Sequence, residues 1–430
     1  MKRTYTLFCT LLFVFITVRA AAPSTQATNI TVTNRGVTQL DISWTSGNGA
    51  NRIVVAKAGA GPVDNPVNGT DYTPGAFGTG GAQIGATGSY VVSETIGVGN
   101  TATITGLNPA STYTIKVFEF NGTGVSTEYN VTDGAGNPLT TTTLALEPTA
   151  QPTAMTFSNV TPSDMDVNFT AATGSPDGYI AVYKSASSPT GGTPQDGATY
   201  SLADPIGDGA VAFIGSATTF NIASLSAGTI YHYDIYAYNG TGSSINYFTT
   251  SPLESSRTTL SSAPSNQPTA MVFSSVTPTS MDVNFTAAAG GAAGYIAVRK
   301  AGSSPSGGSP TDGQTYSIGD PIGDGTVAFI GNTLPFNNTS LSPGTTYHFD
   351  IYSYNGSGLS INYLTGSTPL ESSQSTVASE PTAQPTSMVF SSFSTTGFNV
   401  GFTAASGSPA GYIAIRRTSS SPTGAPSDGV

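Results

Sequence analysis

A repeat of about 116 residues constrains this chain more than any other feature of its sequence. The segment QPTAMTF at residues 151–157 returns as QPTAMVF at 267–273 and as QPTSMVF at 384–390. Aligned without gaps, residues 151–250 match residues 267–366 at 68 of 100 positions. A period of this length corresponds to a whole domain, since solenoid units span only about 20–50 residues. The chain is therefore expected to fold as tandem domains.

The repeat and its flanking segments divide the chain into five parts. Lys2 and Arg3 precede a mostly apolar stretch at residues 7–18 and small residues at 20–22, the pattern of a secretory signal peptide. We expect cleavage near Ala20, and hence a secreted or cell-surface protein. The predicted parts are the signal peptide (1–20), repeat 1 (23–146), repeat 2 (147–263), repeat 3 (264–379) and a truncated repeat 4 (380–430). The incomplete fourth unit suggests a fragment of a longer chain.

Composition excludes several classes of function. The chain has 24 acidic and 13 basic residues, a net charge of −11, which argues against binding nucleic acid by neutralising phosphates. It has two histidines and one cysteine, too few for most metal sites and most nucleophile–base pairs. After the signal sequence, no stretch of about eighteen apolar residues follows, so no transmembrane segment is expected. We therefore predict no catalytic residues, no metal ligands and no cofactor, and a protein that is not an enzyme.

Within each repeat, the hydrophobic pattern predicts β-strands. Residues 165–170 alternate between apolar and polar side chains, and residues 231–238 alternate in the same way. Turns rich in Gly, Pro, Asn and Asp separate these runs. Beyond the signal sequence, no window sustains the spacing of an amphipathic helix. Regular short strands with such turns favour one two-sheet sandwich per repeat.

Two groups of residues in these units resemble the fibronectin type III family. One is LDISW at residues 40–44, similar to a strand with a core Trp44. The other is LNPASTY at 107–113, which recurs at 225–231 and 341–347 and resembles the corner at which a buried tyrosine bonds the backbone. The resemblance implies an all-β fold of tandem immunoglobulin-like sandwiches, as beads on a string, with corner tyrosines at Tyr113, Tyr231 and Tyr347.

Two features depart from the usual family pattern. Phe169, Phe285 and Phe402 stand where repeat 1 has its tryptophan. The segment at residues 185–219 is longer than usual and contains β-prone pieces at 198–202 and 210–214, which predict an extra hairpin. The Tyr-Asn-Gly and Asp-Gly turns are similar to those of repeats in large secreted proteins of Bacteroidetes-type bacteria. That resemblance implies a surface protein whose repeats adjoin adhesive, hydrolytic or sorting domains.

Short linkers that carry two prolines each join the repeats, as in LEPTAQP at 146–152. Proline-rich connectors act as semi-rigid spacers. The leading hypothesis is a non-catalytic structural or adhesion protein that spaces or presents domains at the cell surface. The alternative is a set of carbohydrate- or protein-binding modules attached to an extracellular hydrolase that is encoded beyond the fragment.

Aromatic residues on two neighbouring strands form the candidate binding surface. If Ile180 and Val182 face the core, tyrosines of these strands face outward in repeats 2 and 3. Such a patch would suit stacking on sugar rings or anchoring a protein partner. The alternative is that residues 185–219 fold over this face and bury it. The proposed surface comprises Tyr179, Tyr183, Tyr236, Tyr238, Tyr295, Tyr352 and Tyr354.

Two polar patterns invite a chemical interpretation. His232 and Asp234 are two residues apart on one predicted strand, and His348 and Asp350 repeat the pair, but repeat 1 lacks both residues. We interpret them as solvent-facing strand residues. The segment DPIGDG at 204–209 could suggest calcium, but its acids are four residues apart and an apolar run follows. A hairpin turn is favoured there over a calcium loop.

Overall fold

The computed structural model describes Met1 and residues 19–427. The signal-peptide prediction rests mainly on residues 2–18, which lie outside the described residues. The described chain contains β-strands and three short 3-10 turns but no α-helix. It divides into two compact units. One holds Met1–Asn159, Met165–Ile222 and Ile230–Arg257, and the other holds Val160–Asp164, Ala223–Thr229 and Thr258–Val430.

Repeat 1 consists of two antiparallel sheets. Its strands are β1 (Thr28–Arg35), β2 (Gln39–Thr45), β3 (Asn51–Ala58), β4 (Gln83–Ile84), β5 (Ser89–Ile96), β6 (Thr101–Thr105), β7 (Thr112–Asn121), β8 (Glu128–Tyr129) and β9 (Leu139–Thr142). One sheet has the order β1-β2-β6, and the other has the order β4-β5-β3-β7-β8, with β9 also paired to β7. This two-sheet arrangement is the sandwich that the alternating pattern predicted.

The same nine-strand pattern recurs in repeats 2 and 3. The strands of repeat 2 are β10 (Thr153–Ser158), β11 (Met165–Thr170), β12 (Gly178–Ser185), β13 (Pro205–Ile206), β14 (Gly209–Gly215), β15 (Thr219–Ile222), β16 (Ile230–Asn239), β17 (Asn246–Tyr247) and β18 (Leu253–Thr258). Those of repeat 3 are β19 (Thr269–Ser274), β20 (Ser280–Thr286), β21 (Gly294–Ala301), β22 (Pro321–Ile322), β23 (Gly325–Gly331), β24 (Phe336–Thr339), β25 (Thr346–Asn355), β26 (Asn362–Tyr363) and β27 (Leu370–Ser375). Each again forms a three-stranded and a six-stranded sheet.

Alternation along β2 builds the core of repeat 1. Leu40, Ile42 and Trp44 are buried between the sheets, and they pack with Tyr113 and Val117 from β7. Their polar neighbours on β2 point to the other face of the sheet. The core tryptophan expected from LDISW is therefore present, and the all-β fold of tandem sandwiches is confirmed.

The predicted corner is present in repeats 1 and 3. The hydroxyl oxygen of Tyr113 accepts the backbone N–H of Asn108 at 2.9 Å, and that of Tyr347 accepts the N–H of Ser342 at 2.9 Å. Both rings are buried. Each of these hydrogen bonds is partly buried, so each corner tyrosine stabilises the turn that precedes it.

Replacing Tyr347 by phenylalanine should destabilise repeat 3 by about 1–3 kcal/mol, because the N–H of Ser342 loses its acceptor. Hydrogen exchange of peptides from residues 346–375 in the full chain measures this loss. The matched control is Tyr352→Phe on the same strand, whose hydroxyl makes no hydrogen bond within the described residues. Equal losses in the two variants would contradict the corner's role.

The predicted hairpin in the long segment is also present, with one difference. β13 and β14 form it, and β14 contains the β-prone piece at 210–214. Residues 198–202 form no strand, because local turns take their polar groups. Asp204 accepts the N–H of Ser201 at 2.7 Å, and the Tyr200 hydroxyl accepts the N–H of Gln195 at 2.9 Å.

Residues 380–427 contain two paired strands, β28 (Thr386–Ser391) and β29 (Asn399–Thr403). Their apolar side chains are open to solvent: Phe402 is 42% exposed, whereas its counterpart Phe285 in repeat 3 is 5% exposed. In repeat 3, strands β21 and β25 supply the opposite sheet that covers Phe285. Residues 380–427 therefore resemble the first strands of a sandwich without the covering sheet.

Candidate functional site: the junctions between repeats

The seven candidate tyrosines do not lie on one face. Tyr179 points into the core of repeat 2, where its ring centroid is 4.9 Å from that of Phe169 and its hydroxyl accepts the N–H of Ala172. Tyr183 stacks on the core residue Tyr233, with ring centroids 6.3 Å apart. The outward orientation expected for Tyr179 and Tyr183 is therefore wrong. Side chains of a strand alternate, so Ile180 and Val182 occupy the other face instead.

Tyr236 and Tyr238 do lie on that other face, but it is covered. They pack with Ile180 and Val182 in a second apolar cluster, and the hairpin residues Ile206 and Val211 complete it. Tyr236 is buried and Tyr238 is half-buried. The long segment thus provides an outer layer over the six-stranded sheet.

Repeat 3 divides its tyrosines in the same way. Tyr295 lies in the inner core, 4.9 Å from Phe285 between ring centroids, and its hydroxyl accepts the N–H of Ala288. Tyr352 and Tyr354 belong to the outer cluster. Since none of the seven tyrosines is exposed, they do not form an open aromatic patch.

The DPIGDG segment closes the covering hairpin. Ile206 pairs with Gly209 across the two-residue turn Gly207-Asp208, and Gly207 adopts a φ of 59°. The Asp208 carboxylate accepts from the Lys184 ammonium at 2.6 Å and from the N–H of Thr190 at 2.6 Å. These donors hold the pKa of Asp208 well below its ordinary value.

Asp324 repeats these contacts in repeat 3, with Lys300 and Ser306. The aspartate therefore fastens the hairpin to the strand beneath it. Nowhere in residues 19–427 do three or more His, Cys, Asp or Glu side chains cluster so that they could hold a metal ion.

The paired strand residues also differ from their expected exposure. His232 is half-buried, with its Nδ1 3.5 Å from the Ser188 hydroxyl, but Asp234 is buried and its Oδ1 has no hydrogen-bond partner. Burial, with a smaller contribution from Glu254, raises the pKa of Asp234 to about 6. The interpretation of Asp234 as a solvent-facing residue is therefore wrong.

Asp350 in repeat 3 has the same environment. Its carboxyl is buried, and Glu371 lies directly opposite on β27. Burial and this neighbouring charge raise the pKa of Asp350 to about 6. Like charges opposite each other on paired strands destabilise a sheet, so protonation of Asp350 relieves both the cost of its burial and this repulsion.

Repeats 2 and 3 should become more stable as the pH falls from 7.5 to 5. The folded state binds a proton near pH 6, whereas the unfolded chain binds it only near pH 4, so protonation favours folding within this window. We expect a gain of about 1 kcal/mol per repeat. Hydrogen exchange at the two pH values measures it. The gain should be absent from Asp234→Asn and Asp350→Asn chains, and an unchanged gain there would contradict this origin.

In each of repeats 1, 2 and 3, a glutamine before the first strand bonds to two other elements. The Gln151 amide donates to the carbonyls of Phe248 and Thr250, and its Oε1 accepts the N–H of Ala237 at 2.9 Å. Gln267 bonds Leu364 and Ser353 in the same manner. This is the glutamine of the repeated QPT motif, so the motif has a structural function.

Gln26 makes the corresponding bonds in repeat 1. It donates to the carbonyls of Asn130 and Thr132 at 2.8 and 3.0 Å and accepts the N–H of Glu119 at 3.0 Å. Its Oε1 also accepts the N–H of Ala27, which makes four hydrogen bonds in all. The Gln26 side chain is itself buried. We call Gln26, Gln151 and Gln267 the glutamine clamps.

The linker between repeats 1 and 2 docks on a turn of repeat 2. The N–H of Ala145 donates to the Ser244 carbonyl at 2.8 Å, and the Asn246 amide donates to the Ala145 carbonyl at 2.8 Å. The Asn239 amide donates to the Leu146 carbonyl at 2.9 Å. Repeat 2 therefore binds the linker through main-chain atoms, with two asparagine side chains as donors.

The residue before Ala145 belongs to repeat 1. The N–H of Leu144 donates to the Gly36 carbonyl at 3.0 Å, and its carbonyl accepts the N–H of Ala110 at 2.9 Å. Adjacent residues are thus held by different repeats. No free linker length remains between Leu144 and Ala145.

Equivalent contacts recur within the second unit. The N–H of Ser261 donates to the Ser360 carbonyl at 2.8 Å, the Asn362 amide donates to the Ser261 carbonyl at 2.7 Å, and the Asn355 amide donates to the Ser262 carbonyl at 2.9 Å. Because the donors and acceptors match those of the first junction one for one, the docked linker is a property of the repeat.

The segment before repeat 1 docks in the same place. The N–H of Ala20 donates to the Ser126 carbonyl at 3.2 Å, and the Asn121 amide donates to the Ala21 carbonyl at 2.8 Å. Where repeats 2 and 3 have a second asparagine, repeat 1 has Glu128, which pairs with Arg19 at 2.9 Å. Three docking turns therefore bind the residues that precede their repeat.

One part of the chain matches a known protein family. Residues 150–251 match the sequence model of the fibronectin type III domain. The stretch matched is almost all of repeat 2. No curated protein matches the chain. Among the described residues, none of the secondary structure is a helix of the length and hydrophobicity needed to cross a membrane.

Two solved structures similar to this chain are themselves tandem arrays of such domains. The FN1-FN3 domains of chicken CNTN1 are 14% identical, with a TM-score of 0.30, and the match covers 83% of this chain and 100% of that one. A two-domain fibronectin type III segment of chicken tenascin is 17% identical, with a TM-score of 0.22, and the match covers 54% of this chain and 99% of that one.

Proposed function

We propose that this chain is a non-catalytic, secreted spacer whose fibronectin type III-like repeats hold other domains at a set separation at the cell surface. The docked linker carries the proposal. A spacer transmits distance only if its joints resist bending, and Leu144 and Ala145 leave no free residue between repeats 1 and 2. The acidic surface supports a chain that repels its copies and remains soluble.

The test measures the stiffness of the connection between repeats 1 and 2, which we call the first joint. Spin labels are placed on cysteines introduced at the exposed positions Val98 in repeat 1 and Leu202 in repeat 2, in a chain carrying Cys9→Ser. Double electron–electron resonance then gives the distribution of distances between the labels. A stiff joint should give one narrow distribution.

Two changes should broaden that distribution. Inserting Gly-Ser-Gly-Ser between Leu144 and Ala145 separates the two anchored residues, and Asn239→Ala with Asn246→Ala removes the side chains that bind the linker. The matched control is Asn168→Ala in repeat 2, whose amide bonds Ser158 within its own sheet. A native distribution as broad as that of the insertion variant would overturn the spacer proposal.

A further inference from the structure

Repeat 3 carries an arginine where repeat 1 has a small side chain and repeat 2 has an aromatic one. Arg299 on β21 pairs with the core residue Phe349 on β25. By the same register, repeat 2 has Tyr183 at this position and repeat 1 has Ala56. The guanidinium lies 5.9 Å from the ring centroid of the corner tyrosine Tyr347. The arginine therefore lies at the end of the core, beside the corner.

A second polar residue accompanies it. Asn338 on β24 pairs with Met281, and the matching pairs place Ile222 in repeat 2 and Ile104 in repeat 1 at this position. Asn338 is 3% exposed, and its Nδ2 has no hydrogen-bond partner. Repeats 1 and 2 have neither of these two polar residues. A buried amide N–H without an acceptor is unfavourable for folding alone.

These two side chains line a cavity of about 210 Å³ together with Ile318, Ala328 and Thr339. Nη1 of Arg299 donates to Asn338 Oδ1 and to the Thr339 carbonyl, the latter at 3.1 Å. Within the described residues, its Nε and Nη2 make no hydrogen bond and no carboxylate pairs with it. The cavity thus offers guanidinium N–H donors and is far larger than the ~30 Å³ share of one water.

We infer that this cavity in repeat 3 binds a carboxylate group, with the guanidinium of Arg299 as the charged donor. A carboxylate matches this site because it accepts several N–H bonds and carries the charge that a guanidinium attracts. The acidic chain does not fill the site itself, and Asn337 at its edge is already bonded to Asp282 at 2.6 Å. The carboxylate can belong to an acidic sugar or to an acidic amino acid.

Saturation-transfer NMR on the full chain tests this site with D-glucuronate, N-acetyl-glutamate and the neutral analogue D-glucose. Glucuronate, N-acetyl-glutamate or both should receive saturation, and glucose should receive at least fivefold less than the acid that binds. A signal from glucuronate alone assigns the site to acidic sugars, and one from N-acetyl-glutamate alone assigns it to acidic side chains. Equal signals from glucose and both acids, or no signal from either acid, would overturn the inference.

The variant Arg299→Tyr with Asn338→Ile gives repeat 3 the two residues that repeat 2 has at these positions, Tyr183 and Ile222. Because both residues lie in paired strands of repeat 2, the variant is expected to fold. The carboxylate signal should fall at least fivefold, while hydrogen exchange of residues 346–375 stays protected. The reference variant is Arg257→Gln in repeat 2, which should leave the signal unchanged. If the double variant loses protection, Arg299→Gln replaces it in the same test. A signal that persists in a folded variant would contradict the assignment.

Discussion

Replacing Glu119 by alanine should destabilise repeat 1 by about 3–5 kcal/mol, because it leaves a buried guanidinium without its partner. The Glu119 carboxylate is fully buried and accepts from Arg52 Nε at 2.9 Å. It also accepts the N–H groups of Gly47 and Gly49 at 2.6 and 3.0 Å. The variant removes all three bonds at once. Hydrogen exchange of peptides from residues 112–121 measures the loss.

Two comparisons separate burial from charge. Glu128→Ala breaks an ion pair whose partner Arg19 is 57% exposed, and it should cost about 0–1 kcal/mol. Glu119→Gln keeps one acceptor oxygen, so its effect should lie between these two. If Glu119→Ala cost no more than Glu128→Ala, the buried pair would contribute nothing beyond a surface contact.

Replacing Gln267 by alanine should destabilise repeat 3 by about 2–3 kcal/mol, because it leaves buried main-chain groups unpaired. The Ser353 N–H loses its acceptor and the Leu364 carbonyl loses its donor. Ser353 is fully buried, so water does not replace the glutamine without opening the strand. Hydrogen exchange at residues 346–364 in the full chain reports the change.

The third QPT motif, in residues 380–427, provides the control. Gln384 is exposed and makes no hydrogen bond within the described residues, since residues 380–427 include no counterpart of β25. Gln384→Ala should therefore change the stability of its segment by less than about 0.5 kcal/mol. A similar loss from both variants would mean that the glutamine acts through local propensity and not as a clamp.

Much of the sandwich could be predicted because one side of its strands is polar. Along β2, Leu40, Ile42 and Trp44 alternate with polar residues, so the sequence distinguishes the buried face. The corner was predictable for a different reason. LNPASTY and its counterparts combine a turn with a tyrosine five residues after the donor N–H, and the structure forms that bond at Asn108 and Ser342.

The orientation of β12 could not be predicted in this way. Residues 178–182 are all buried, because the core covers one face and the hairpin residues Ile206 and Val211 cover the other. A strand buried on both faces shows no polar alternation, so the choice between Tyr179 and Ile180 as the core residue had no signal in the pattern. The covering hairpin, distant in sequence, decides it.

The docking asparagines left a trace that could have been noticed. Residues 239–247 read NGTGSSINY and residues 355–363 read NGSGLSINY, so both donors recur at fixed positions. Their partners are main-chain carbonyls in the preceding linker. Every residue type has such a carbonyl, so no particular residue marks the acceptor. The pattern therefore marks the donors but does not reveal what they bind.

The docked linker has a consequence for how such a chain changes its length. Repeats 2 and 3 each carry the two asparagines that bind the preceding linker, and each of these linkers offers only main-chain atoms. A duplication of one period in frame would therefore supply a unit that already fits both neighbours, with no compensating substitution at either joint. Arrays with different numbers of repeats, and hence different lengths, can thus arise by recombination alone. Selection for a different length need not change the sequence of any sandwich.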